Sequence, residues 1–109
     1  MADHAKQKLV DFLEDHAFSP VLRAKPHQYA ASQQRMLEDV QRATRAEIDR
    51  FRDYRSAEDV VINFKRDLSS GAAEKIHREL RRLNLPTVND LEGDFMRLAD
   101  DLGVRASAS

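Results

Sequence analysis

The stretch Ser32–Arg55, SQQRMLEDVQRATRAEIDRFRDYR, decides the fold class. Met36, Leu37, Val40, Ala43, Thr44, Ile48, Phe51 and Tyr54 recur at spacings of three and four, so a helix collects them into one stripe. The opposite face then carries Glu38, Arg42, Arg45, Asp49, Arg52 and Asp53. Glu38 and Arg42 stand four apart in the favourable order for a surface ion pair. A helix over this stretch runs for about 36 Å, and shorter elements have to pack against it.

Toward the N-terminus, Asp3–Phe18 places Ala5, Leu9, Phe12, Leu13 and Ala17 on one helical face, with Asp3 positioned as N-cap. Ser19-Pro20 is expected to end that helix, with Ser19 capping at most one further turn. Ser19–Ala31 contains Pro20 and Pro26, shows no apolar period and reads as a connection in which Val21 and Leu22 cover the core.

Toward the C-terminus, Ser56 with Asp59 three residues on resembles a capping box and opens a helix at Ala57. Its stripe of Val60, Val61, Phe64 and Leu68 continues at the same spacing through Ala72, Ile76, Leu80 and Leu83. Ser69, Ser70 and Gly71 interrupt it with weak helix residues, which favours two helices over one kinked helix. Asn84-Leu85-Pro86 ends this element. Thr87 and Asp90 cap a last helix through Leu91, Phe95, Leu98 and Leu102, and Gly103 stands where a left-handed C-terminal cap belongs. The domain is expected to span 1–103, with 104–109 a disordered tail.

Composition agrees with the periodicity. Three Gly and three Pro in 109 residues are too few for the turns of a sandwich or barrel of short strands. The expectation is an all-α, single-domain bundle of four or five helices with short connections. No apolar run reaches the length of a membrane span, and Met1–Lys8 lacks the basic-then-apolar order of a signal peptide, so a cytoplasmic protein without a membrane partner is expected. The absence of Cys removes disulfides and thiolate metal sites. A net charge of -1 provides no bulk attraction to nucleic acid or membrane.

Chemistry-bearing patterns are sparse. Glu74 and His77 form one ExxH, whereas a di-iron carboxylate bundle needs two such motifs and two further glutamates. The pair lies at the polar side of the Ile76 stripe and reads as a solvated face, so neither metal nor cofactor is expected. No serine sits in a nucleophile elbow, and the isolated Gly71, Gly93 and Gly103 build no phosphate loop.

Lys65–Arg82 is locally basic, and with the helix after Thr87 it imitates a helix-turn-helix. The second helix, however, carries Asp90, Glu92, Asp94, Asp100 and Asp101 against Arg97, and phosphate would repel it. Antiparallel packing of the two segments would instead pair their opposite charges. Two surfaces remain. Arg23, Lys25, His27 and Tyr29, in a connection without acids, fit a protein partner. Arg78, Arg81 and Arg82 offer an alternative anion or nucleic-acid site. The expected function is a small non-catalytic interaction module binding another protein or itself, with a nucleic-acid binder or a small helical metalloenzyme as alternatives. A twofold dimer is expected through the long stripe, with Arg45, Asp49 and Arg52 setting its register.

Overall fold

A computed structural model describes residues 3–104 of the protein; for residues 3 and 71–73 it describes the backbone alone. The chain is an all-α bundle. Helix α1 (Asp3–Leu13) continues through a π-helical segment, Glu14–Phe18, into α2 (Ser19–Arg23). A 3-10 turn at Pro26–Gln28 leads to α3 (Ala31–Asp53), followed by α4 (Ala57–Leu68) and α5 (Gly71–Arg82). A second 3-10 turn, Val88–Leu91, precedes α6 (Glu92–Asp101). Among the described residues, no helix is long and apolar enough to cross a membrane.

Pro20 does not end the first helix. The residues around it keep right-handed helical dihedrals, and the Ser19 N–H donates to the Glu14 carbonyl five residues back. A proline in a regular helix lacks the N–H and collides with the carbonyl four residues earlier. The wider π turn is a local remedy for that collision. It also shifts the register of the apolar face, so that Ala17, Phe18 and Val21 are all buried.

Side-chain caps open α4 and the second 3-10 turn, and left-handed residues close α5 and α6. Ser56 Oγ accepts from the Asp59 N–H at 3.1 Å, as its spacing predicts. Thr87 and Asp90 form the reciprocal box, but it caps the 3-10 turn, and α6 starts four residues later than the sequence pattern suggests. After α5, Asn84 adopts a φ of 59°, with Leu85 N–H donating to Leu80 O at 2.9 Å and Asn84 N–H to Arg81 O at 3.1 Å. After α6, Gly103 at φ 73° does the same work, with Val104 N–H on Ala99 O and Gly103 N–H on Asp100 O. Both are Schellman motifs, each followed by an apolar residue that packs inward. Val104 is 6% exposed and belongs to the main core, so the fold extends one residue past the expected boundary. The remainder of the expected tail, 105–109, lies outside the described residues. The Ser69-Ser70 step separates two helices, as the weak residues there suggest.

The core has two parts. The larger joins Leu9 and Leu13 of α1, Phe51 of α3, Val60, Val61 and Phe64 of α4, and Phe95 and Ala99 of α6. The smaller joins Val21, Val40 and Leu80, with Ile76 and Leu85 packed against it. Accordingly α1 packs on α4 and α6, while α3 is covered by α2 and α5. Its stripe is thereby taken up within one chain. Leu37, Val40, Thr44 and Phe51 are buried, and Met36, Ile48 and Tyr54 are half-buried. Arg52, expected at a dimer axis, pairs within the chain with Glu14 of the π segment. Arg42 pairs with Asp39, three residues back, at 3.2 Å rather than with Glu38.

Phe95 is fully buried and stacks on Phe64 with ring centroids 4.0 Å apart, and Phe12 lies tilted beside it. Phe95→Ala should therefore cost roughly 3–5 kcal/mol, against a total of about 5–15 for a typical domain. The expected outcome in urea denaturation is a large fall in the midpoint; an unchanged midpoint would exclude this packing.

Candidate ligand pocket

Between the two core clusters the helices leave a cavity of about 220 Å³. Ala17, Phe18 and Val21 wall it from the π segment and α2, and Ala43, Thr44, Glu47 and Phe51 from α3. Phe64 and Asp67 come from α4, Ile76, His77 and Leu80 from α5, and Pro86, Thr87 and Val88 from the following loop. Its position follows from the interruption of both clusters at the same level of α3. Val40 belongs to one cluster and Phe51 to the other, and Thr44 and Glu47 stand between them.

The polar groups of the wall are mostly committed. Thr44 Oγ1 donates to Val40 O at 2.8 Å, the usual back-bond of a helical threonine. Thr87 Oγ1 serves the capping box. His77 is 7% exposed, and Asn89 Nδ2 lies 2.6 Å from its Nδ1. With the amide donating, Nδ1 accepts and the ring proton sits on Nε2. Burial holds the imidazole below its ordinary pKa, and the neighbouring Arg81 charge adds to this against the opposite pull of Asp90 and Glu74. The ring is thus neutral at pH 7. Its place at the edge of the Ile76 stripe suggests a solvated residue, but the loop from Pro86 to Asn89 folds back over α5 and covers it.

One edge of the cavity is acidic. The Arg50 guanidinium donates to Asp67 and Tyr54 Oη, each at 2.5 Å, and to Glu47. It also lies 5.0 Å from the Phe51 ring centroid. Burial alone would lower the Arg50 pKa, but hydrogen bonds and charge from Asp67 and Glu47 outweigh it and hold the group above its ordinary value. Burial also raises Tyr54, against the opposing charge of Arg50. One cation between two carboxylates leaves the edge with a net negative charge.

Apart from His77, the residues singled out from sequence lie elsewhere. Arg23, Lys25 and His27 are exposed on the segment after α2. Tyr29 is half-buried, with its hydroxyl donating to Leu83 O at 3.4 Å. Gln41 pins the same segment by donating to Val21 O at 3.0 Å and Ala24 O at 2.7 Å, which satisfies carbonyls at the end of α2. Arg78, Arg81 and Arg82 are exposed on α5, and Arg81 is paired with Asp90 at 3.3 Å. That pair is what the structure retains of the charge pairing expected between the basic segment and the last helix; α6 packs on α1. Glu74 is exposed, and among the described residues no three His, Cys, Asp or Glu side chains converge as a metal site.

Glu47, Arg50 and Asp67 were missed by sequence reasoning, yet a signal existed. Val40, Thr44, Glu47, Phe51 and Tyr54 recur at four, three, four and three, so Glu47 is an acid placed on an apolar stripe. Comparison of the chain with protein-family models, with curated proteins and with solved structures returned no match.

The His77 environment has a signed consequence. In the unfolded chain the imidazole titrates near 6.5, and in the fold it titrates lower. Its share of stability is complete above about 6.5 and is lost as pH falls through that value toward the folded pKa. Between pH 7.5 and 5, the stability of the wild type should fall relative to that of His77→Gln. Denaturation midpoints that differ by a constant amount across that range would show a histidine with ordinary titration.

Proposed function

We propose that the chain is a small non-catalytic helical binding module whose recognition element is the cavity between its two cores, and that it holds a compact, mainly apolar molecule there. One observation carries the reading. A chain of 109 residues has little apolar surface to spare, yet it keeps a cleft of about 220 Å³ open between its two core clusters. Without a ligand its apolar walls stay in contact with water, which forfeits part of their burial. A bound apolar group would recover much of it, since pockets of this kind bind through apolar walls with a few polar groups at the edge. The committed hydroxyls of Thr44 and Thr87 and the Asn89-bound His77 support orientation of a ligand rather than attack on it.

A second reading, docking of an acidic protein surface, is supported by Arg23, Lys25 and His27, three exposed side chains on a segment fixed in place by Gln41.

Ala43 lines the cavity and is half-buried, so it is the place to fill it. Ala43→Leu should raise the melting temperature of the free protein by a few degrees, the usual effect of a well-placed cavity-filling change. Small aromatic and alicyclic compounds should raise the melting temperature of the wild type in a saturable way and leave that of the variant unchanged. A stabilised variant beside a wild type that no such compound shifts would reduce the cavity to a packing defect.

A further inference from the structure

Resting on the pocket reading above, we infer that the ligand is a compact apolar amine, bound as its ammonium ion with its apolar body among the cavity walls and its charge at the Glu47 and Asp67 edge.

Size sets the first limit. An apolar cavity of about 150 Å³ is enough for benzene, so about 220 Å³ accommodates one ring with a short chain.

Charge sets the second. The acidic residues in the wall are Glu47 and Asp67; among the described residues, no Lys or Arg lines the cavity. The nearby cation, Arg50, is already shared between these carboxylates and the Tyr54 hydroxyl. Its guanidinium also lies against the Phe51 and Tyr54 rings, which holds it in that arrangement. An anion entering the cavity would face two carboxylates balanced by one cation, whereas an ammonium would complete the balance. The remaining titratable wall group, His77, is buried and neutral and adds no positive charge. A carboxylate or phosphate ligand is therefore disfavoured, a neutral one tolerated and an amine preferred.

The test uses three probes of nearly equal shape, 2-phenylethylamine, 2-phenylethanol and 3-phenylpropanoate, titrated at pH 7 into the full chain at low ionic strength and followed by amide chemical shifts. The amine should bind about fivefold more tightly than the alcohol, the scale of one partly exposed ion pair, and the acid more weakly than either. Added salt should shrink the preference. Glu47→Gln leaves Asp67 to hold Arg50 and makes the edge neutral, so amine affinity should fall to that of the alcohol. Alcohol affinity should fall by less than amine affinity does, and a urea midpoint close to that of the wild type reports that the variant is folded. Equal binding of all three probes, or tightest binding of the acid, overturns the amine assignment and leaves the pocket reading standing. Failure of all three to bind the wild type overturns both.

Discussion

A helix of 23 residues is about 35 Å long, and the two helices that follow it have 12 residues each, about 18 Å. Neither can cover α3 alone, so its apolar face is buried in two instalments. Near Phe51 it joins the α1, α4 and α6 cluster, and near Val40 it joins α2 and α5. The break between α4 and α5 at Ser69-Ser70 coincides with the gap between these instalments. Asp67 and Ser70 from one side of the break and Ile76 from the other line the same cavity. The split core, the turn and the pocket thus share one cause, a mismatch of helix lengths.

The residues at that seam differ from those in either cluster. Thr44 and His77 are buried polar groups where an unbroken core would have aliphatic ones, and each is paired with a backbone or side-chain partner. Pairing is what makes such burial tolerable, because an unpaired polar group costs about 1–3 kcal/mol in protein interiors. Arg50 plays the corresponding part at the rim, where it ties α3 to α4 through Asp67 across the open side.

Local chemistry decided how the helices end, and much of it was legible. Ser56, Thr87 with Asp90, and Gly103 sit at spacings whose hydrogen bonds the structure contains. Asn84 could have been read as the left-handed cap of α5, since asparagine tolerates that conformation better than other residues with a side chain. Pro20 was misleading for a physical reason. A proline breaks a regular helix, but a π turn immediately before it changes which carbonyl it meets, and nothing in residues 14–18 signals that adjustment in advance.

By itself the sequence determined the all-α class, the long central helix and the apolar stripes, and it favoured two helices over one in 57–83, because each depends on periodicity and capping within a few residues. Only the tertiary structure decided that the α3 stripe is covered within one chain, that Val104 belongs to the core and that His77 is enclosed by a loop twelve residues away at Asn89. The cavity falls in the same category. Glu47 and Asp67 lie far apart in sequence, and no local pattern brings them to one edge. Their meeting depends on how two helices of unequal length are laid side by side, which is a property of the packed bundle and not of either segment.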